Sequence, residues 1–176
     1  PRALHSRFCS SELTRFARPK ALRSFVKCSN KRMAVDLIVW VIVQDGAGRI
    51  LLGRRENTRF ASGWWNLPGG AVETREKVAD AAARELCEET GLRVNPTDLR
   101  HIGVNRYDVE GLHGRAQGVN FFFLVREWDG EPQPLENTSE LGWFDPENIP
   151  ADALPWLPQA LKNHLLDAQF FVEQVD

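Results

Sequence analysis

The chain has 176 residues, of which 43% are apolar and 26% are charged, proportions that are ordinary for one globular domain. No segment approaches the roughly 20 apolar residues that a transmembrane helix needs, since the best run, 37–43, has only the length of a strand. The three cysteines, Cys9, Cys28 and Cys87, lack metal-ligand spacing, which argues against a zinc site or a disulfide framework and favours a reducing compartment.

Charge is distributed unevenly along the chain. Residues 1–32 contain nine Lys and Arg residues and the single acid Glu12, a net charge of +8, whereas the whole chain carries −2, so residues 33–176 carry −10. The basic segment is also rich in serine, as organelle transit peptides are. A disordered leader, a cloning extension and translated sequence upstream of a start at Met33 are the alternatives. We expect 1–32 to be a leader and 33–176 to be the functional domain, in the cytoplasm or, with a transit peptide, in an organelle.

The first predicted elements are strands. The β-branched apolar run Val35–Gln44 is typical of a buried strand, and a second strand begins at Ile50–Leu52 after a turn at 45–48, so the two are expected to form a hairpin. Residues 53–69 form a polar loop with a short apolar piece at its end. Gly69-Gly70 then interrupts the chain.

The second half alternates helices with strands. Residues 78–90 are rich in Ala and Glu and contain no Gly or Pro, which predicts a helix that ends at Gly91. Two strands, a short third strand and an amphipathic C-terminal helix follow at 100–109, 119–128, 141–144 and 154–165, respectively. Strands mixed with two helices predict an α+β or α/β sandwich.

Acidic residues are concentrated on the predicted helix. Glu85, Glu88 and Glu89 have the spacing i, i+3 and i+4, which places the three carboxylates on one face. Like charges at this spacing repel, and the C-terminal end of a helix disfavours anions. A bound divalent cation, which prefers oxygen ligands, would explain why three carboxylates are placed together despite this repulsion. The alternative is a solvated acidic surface balanced by neighbouring Arg and Lys.

A longer pattern extends this feature. Gly70, five residues, Glu76, seven residues and then Arg84-Glu85-Leu86-Cys87-Glu88-Glu89-Thr90-Gly91-Leu92 resembles the Nudix box at every defined position. The resemblance implies an α/β/α sandwich with a mixed β-sheet between helices. It also implies a hydrolase that cleaves a phosphoric anhydride bond of a nucleoside diphosphate derivative with Mg²⁺ or Mn²⁺.

The resemblance also implies roles for residues of the box. Glu85, Glu88 and Glu89 would bind the metal, with the Gly70 carbonyl as a further ligand. Glu76 would orient Arg84 as a structural pair. The general base would be Glu88 or Glu89, or an acid from a later loop, for which Glu140 and Glu136 are candidates; for each of these two, solvated surface is the alternative.

Residues outside the box must recognise the group that is attached to the diphosphate. The entry Trp64-Trp65-Asn66-Leu67-Pro68-Gly69-Gly70 resembles that of MutT-type and oxidised-purine triphosphatases. On this basis Trp65 and Asn66 are candidate base-binding residues, although Asn66 can equally bridge the loop. Trp156 and Phe122 are candidate stacking surfaces, and buried core positions are the alternative for both.

Two sequence features of related enzymes are missing here, and this narrows the choice of substrate class. Residues 153–159 lack the paired acids of oxidised-purine enzymes, and 1–32 lacks the pattern of the N-terminal dimerisation domain that ADP-ribose enzymes often add. We therefore expect a nucleoside triphosphate that is cut to the monophosphate and pyrophosphate, with a nucleotide-sugar or ADP-ribose diphosphatase, or a catalytically silent nucleotide-binding module, as alternatives. The acidic body disfavours nucleic acid as a partner, no membrane partner is expected, and monomer and homodimer both stay open.

Overall fold

The computed structural model describes residues 35–58, 61–111 and 114–176, so the predicted leader at 1–32 lies outside the described residues. The strands of this part of the chain are β1 (Asp36–Val43), β2 (Ile50–Arg55), β3 (Trp65–Asn66), β4 (Gly69–Ala71), β5 (Arg100–Gly111), β6 (Gly114–Val125), β7 (Thr138–Phe144) and β8 (Phe171–Val175). The helices are α1 (Val78–Thr90) and α2 (Leu157–Ala160), and a π-helical segment, Leu161–Leu166, continues α2. None of these helices is long and apolar enough to cross a membrane.

The strands form two sheets. The larger sheet has the order β4-β1-β6-β5-β8 and is mixed, because β1 is parallel to β6 and β5 is parallel to β8, while its other pairs are antiparallel. The smaller sheet is antiparallel and has the order β3-β2-β7. The predicted mixed sheet is confirmed, and a second small sheet accompanies it.

The predicted hairpin of β1 and β2 is wrong. The two strands belong to different sheets and share one isolated bridge, between Gln44 and Ile50. The physical reason lies in β1, whose residues from Val39 to Val43 are all buried. Because β1 is buried on both faces, it lies inside the larger sheet, where β4 and β6 occupy its two edges.

Alternate residues of β1 belong to two separate cores, and each core lies under one helix. Val39, Val41 and Val43 pack with Ala82 and Leu86 of α1. Trp40 and Ile42 face the other way and pack with Leu157 of α2 and with Leu161. The larger sheet therefore lies between helices, which confirms the predicted α/β/α sandwich.

Three strands lie where the sequence pattern predicted none. β3 forms at Trp65–Asn66, inside the predicted polar loop, where it pairs with β2. β4 forms at Gly69–Ala71, where a break was predicted, because these residues pair with the buried strand β1. β8 pairs with β5 at the edge of the sheet, and its Phe171 and Val175 are 59% and 56% exposed. A short, largely exposed edge strand has no clear apolar period, so periodicity does not detect it.

The C-terminal helical segment carries a buried histidine. The His164 ring stacks on Phe122 with a centroid distance of 4.6 Å, and its Nδ1 lies 2.6 Å from the Gln169 carbonyl oxygen. A carbonyl only accepts, so Nδ1 carries the proton, while the buried Nε2 has no partner in the described part of the chain. Gly103 makes room for this ring, since a Cβ there would lie 2.1 Å from Nδ1.

We predict that His164 makes the fold sensitive to acid. Burial lowers the pKa of His164 below its usual 6.5. The unfolded chain therefore binds a proton at His164 more readily than the folded chain does. The free energy of unfolding consequently decreases as pH falls below about 6.5. His164→Gln, which cannot titrate, should show a shallower loss of unfolding free energy between about pH 7.5 and 5.5, measured by urea denaturation. Identical slopes in both proteins would contradict this account, whatever the absolute stability of the variant.

Candidate active site

The site begins with a close approach between β4 and β1. A Cβ at Gly69 would lie 2.1 Å from the Val39 carbonyl oxygen, and a Cβ at Gly70 would lie 2.6 Å from the carboxylate of Glu85. No side chain fits either place without displacing its neighbour. The two glycines therefore let the backbone of β4 pass directly beside the acidic face of α1.

Three carboxylates project from α1 toward this backbone. Glu85, Glu88 and Glu89 share one face, while Leu86 is buried in the core. The Glu85 side chain is 15% exposed and that of Glu88 is 43% exposed. Glu89 is held by β4, because the Gly69 N–H donates to its Oε2 at 2.9 Å. The helix ends at Gly91, as predicted, with φ of 74°.

Arg84 links these carboxylates to the loop before the helix. Its Nε lies 2.8 Å from Glu76 Oε1, and its Nη1 lies 2.9 Å from both Glu85 Oε1 and Glu88 Oε2. Its Nη2 donates to the carbonyl oxygen of Ala71. The guanidinium thus offsets the repulsion between three acids, and two of its nitrogens, Nε and Nη2, donate to Glu76.

The carboxylates differ in their electrostatic environments. The hydrogen bonds from Arg84 hold the pKa of Glu76 below its usual range. Burial raises the pKa of Glu85, against the opposing effect of Arg84. Burial also raises the pKa of Glu89 to about 7, although the Gly69 N–H and Arg55 act in the opposite direction. Burial is thus the largest cause of both raised pKa values.

A loop after β6 covers the end of α1. The N–H groups of Gln133, Leu135 and Glu136 donate to the last carbonyls of the helix, those of Thr90, Glu89 and Glu88, at 2.9 to 3.1 Å. These bonds satisfy carbonyls that a helix end otherwise leaves to water. They also anchor Glu136 beside the three helix carboxylates, where it contributes to the raised pKa of Glu89.

The donor set fits a hard divalent cation. Carboxylate oxygens, with a glycine carbonyl as predicted for Gly70, are the ligands that Mg²⁺ prefers. Within the described residues, no three acidic, histidine or cysteine side chains already converge on one point. Arg84 instead binds Glu85 and Glu88, so a cation would compete with this guanidinium for the same oxygens.

One cleft of about 840 Å³ contains these groups. Its acidic end holds the carboxylates of α1, Glu73 and Glu136, together with two arginines, Arg84 and Arg55. Its other end extends over the larger sheet and holds aromatic and amide side chains, among them Trp156. A charged end and an uncharged aromatic end in one cleft suit an amphipathic ligand with anionic and planar parts.

The structure brings only some of the predicted residues to this cleft. Glu85, Glu88, Glu89, Gly70, Arg84 and Trp156 line it, whereas Glu140, Trp65, Asn66 and Phe122 are outside the lining. Glu140 is 60% exposed and lies 3.3 Å from Arg54 on the smaller sheet, and Glu136 takes its place in the cleft. The fixed spacing of a motif predicts helix positions, whereas loop acids depend on how the loop closes.

The predicted base-binding residues at the loop entry are core residues. Trp65 is buried against Phe144 at a centroid distance of 5.0 Å, and Arg54 lies over its ring. Phe122 is fully buried beneath Trp156 and His164. Asn66 is 2% exposed, and neither polar atom of its amide has a hydrogen-bond partner within 35–58, 61–111 and 114–176.

Comparisons with known proteins agree with this geometry. The family model of the NUDIX domain matches residues 35–164. An oxidized purine nucleoside triphosphate hydrolase of Danio rerio is 35% identical over 131 residues, which cover 72% of this chain and 79% of that protein. A CMP-5′-(N-acetyl-N-hydroxy-3-aminopropyl)phosphonate hydrolase of Streptomyces rubellomurinus is 50% identical over 108 residues, which cover 59% of this chain and 48% of that protein.

Solved structures share the fold. The crystal structure of a MutT NUDIX hydrolase from Burkholderia pseudomallei superimposes with a TM-score of 0.65 and 27% identity, and the match covers 74% of this chain and 98% of that one. The matched part of this chain therefore corresponds to nearly the whole of that protein.

We predict that Gly70→Ala weakens metal activation without unfolding the protein. The new Cβ would displace the flexible Glu85 carboxylate, which lies 2.6 Å away, rather than the backbone. The Mg²⁺ concentration for half-maximal activity should rise about tenfold, the usual size of the effect when a ligand is mispositioned. Gly46→Ala is the matched control, because nothing lies within 4 Å of a Cβ there. Unchanged Mg²⁺ activation in Gly70→Ala would contradict the role of Glu85.

Proposed function

Because this chain belongs to the Nudix family and is a hydrolase of phosphoric anhydride bonds, we propose that its substrate is a nucleoside triphosphate, which it cuts to the monophosphate and pyrophosphate. Members of this family act on nucleotides and generally use divalent metal ions. We further propose that Mg²⁺, or Mn²⁺ in its place, is the metal here.

The observation that carries this proposal is the composition of the cleft. Glu85, Glu88 and Glu89 lie at one end and Trp156 lies at the other, so one elongated ligand can contact both. The ligand's anionic part would lie at the acidic end, where phosphate needs a cation as intermediary. Its planar part would lie against Trp156.

The chemistry follows from the residues at the acidic end. A divalent cation, when bound, neutralises phosphate charge and lowers the pKa of the attacking water. Glu85, Glu88 and Glu89 would hold the cation, together with the Gly70 carbonyl. Arg55 lines the same end and is placed to bind a phosphate oxygen. The carboxylates would thus bind the cation, and the cation would in turn bind the phosphate.

A carboxylate of the cleft would take the proton from the attacking water. Glu88, Glu89 and Glu136 are in position to do so, because all three line the cleft. We do not extend the proposal to Glu140, whose carboxylate lies beside Arg54 outside the lining. A silent binding module would have no use for three carboxylates held together at this cost in repulsion.

A second candidate substrate is a nucleoside monophosphate joined to a group that is not a nucleotide. The relative from Streptomyces rubellomurinus, 50% identical over 108 residues, is named for such a compound. The acidic end would bind the linkage of either substrate in the same way. The two candidates differ in the leaving group, which the aromatic end of the cleft does not contact.

The substrate class is tested by a panel at fixed Mg²⁺. It should contain ribo- and deoxynucleoside triphosphates, an oxidised purine triphosphate, ADP-ribose, nucleotide sugars and CMP-linked conjugates. We expect kcat/KM to be highest for a triphosphate, with pyrophosphate and the monophosphate as the products in phosphorus NMR. A tenfold or greater preference for a conjugate over every triphosphate would refute the proposed substrate and favour the second candidate.

Glu88→Gln tests the metal-binding role. Loss of a charged ligand should lower kcat by about 100-fold, or about 3 kcal/mol of transition-state stabilisation, while the fold is retained. Glu147→Gln removes the same charge from an exposed turn outside the cleft and should leave kcat unchanged. If Glu88→Gln keeps activity within about threefold of the unmodified protein while melting normally, Glu88 is not a ligand.

A further inference from the structure

The far end of the cleft is built from one face of the larger sheet. Register pairs Ile38 with Asn120 and Asn120 with Asn105, which places these three side chains in a row across β1, β6 and β5. One step along the strands, Tyr107 lies opposite Gly118 and beside Gln174 of β8. All of these except the glycine line the cleft.

The two asparagine amides present opposite hydrogen-bonding groups. The Trp40 Nε1–H donates to Asn120 Oδ1 at 3.1 Å, and an indole N–H can only donate, so the contact fixes which atom of the amide is oxygen. The Nδ2 of Asn120 is then left as a donor for a ligand. Asn105 Oδ1 is buried and has no hydrogen-bond partner among the residues that the structure describes. A buried acceptor without a partner is costly, and a ligand that donates to it would remove this cost.

Aromatic rings flank this pair of amides. Trp156 lies 5.1 Å from Trp40, ring centroid to ring centroid, and lines the cleft with it. On the other side, Tyr107 lies across Gly118, where a Cβ would meet its hydroxyl at 2.4 Å. A planar group that enters between these rings would have its edge beside the amides and its face against an indole.

This end of the cleft is uncharged. Its lining in the described part of the chain consists of apolar, aromatic and amide side chains, and Asp36, whose charge helps burial to raise the pKa of Tyr107, lies outside the lining. A phosphorylated second moiety would find no cation here. A neutral planar ring with hydrogen-bonding groups on its edge matches the chemistry, and a nucleobase is such a ring.

We propose that Asn105 and Asn120 read the edge of the substrate's base, with Asn105 as acceptor and Asn120 as donor, while Trp156 stacks on its face. This inference rests on the proposed function, since it assigns the base of the same substrate. The strands of Asn120 and Asn105 lie two and three strand spacings from β4, or about 10 and 14 Å. The sugar and phosphates of one nucleotide can span this distance to the acidic end.

Asn120→Asp is the discriminating variant. It keeps an oxygen for Trp40 Nε1, replaces the donor of the amide with an acceptor and adds one negative charge. We expect kcat/KM for the best triphosphate to fall at least tenfold, the usual effect of losing a buried hydrogen bond, and the preference among bases to flatten. Asn105→Leu, which keeps the branched shape of the side chain but has no hydrogen-bonding group, should flatten the same preference. Asn148→Asp makes the same chemical change in a turn outside the cleft and should behave as the unmodified protein.

A nucleoside-binding experiment tests this inference independently of the proposed reaction. Titration of a free nucleoside, without phosphate or metal, should shift the indole N–H signal of Trp156 in NMR spectra, and the shift should be lost in Asn120→Asp. We expect this binding result even if the protein hydrolyses no triphosphate. Absence of hydrolysis would refute the proposed function but not the assignment of the base-binding residues. A normal nucleoside titration in folded Asn120→Asp would overturn the inference, as would base preferences that change in Asn66→Ala but not in Asn120→Asp or Asn105→Leu.

Discussion

The burial of β1 on both faces is the constraint on which the rest of the structure depends. Val39 and Val41 pack toward α1, and Trp40 and Ile42 pack toward the C-terminal helix, so neither face of the strand is free to meet water. A strand of this kind must lie inside a sheet, and its two edges are taken by β4 and β6. β4 brings the backbone of Gly70 to the acidic helix, and β6 brings Asn120 to the other end of the cleft. Both ends of the candidate site are therefore positioned by one apolar strand.

The acidic end illustrates how a fold tolerates an unfavourable arrangement of charge. Glu85, Glu88 and Glu89 repel one another and stand at the end of α1 that disfavours anions, and no basic residue lies in its last turn. Arg84 offsets part of the repulsion by binding two of the three carboxylates. The loop N–H groups that bond to the last carbonyls reduce the negative end of the helix dipole. Burial still raises the pKa of Glu89, against the opposing effects of the Gly69 N–H and Arg55.

The box was predictable because all its members lie in one helix and one turn. Helical periodicity alone places Glu85, Glu88 and Glu89 on a common face, and the observed helix, Val78–Thr90, has the predicted bounds. Glu136 lies in the cleft because loop N–H groups close over the end of α1, whereas Glu140 lies opposite Arg54 in the smaller sheet, and spacing along the sequence predicts neither arrangement. Of the predicted aromatic residues, Trp156 reaches the cleft and Phe122 does not, and nothing in the local pattern distinguishes the two. The asparagine pair was not predicted, because Asn105 and Asn120 are 15 positions apart in the sequence. Only the register between β5 and β6 brings them opposite each other.

The division of charge in the cleft bears on the form in which an anionic substrate can enter. Residues 33–176 carry a net charge of −10, and the acidic end gathers carboxylates of α1 beside Glu73 and Glu136. Arg55 and Arg84 are the cations of the described lining, whereas five glutamates line it. A bare polyphosphate would therefore be repelled, whereas a polyphosphate that carries a divalent cation brings the charge that Glu85, Glu88 and Glu89 lack. The uncharged end imposes no such condition, since its aromatic rings and amides interact with a neutral ring at any ionic strength. Salt and metal concentration are thus expected to govern binding at one end of the cleft, and the shape and hydrogen-bonding edge of the ring at the other.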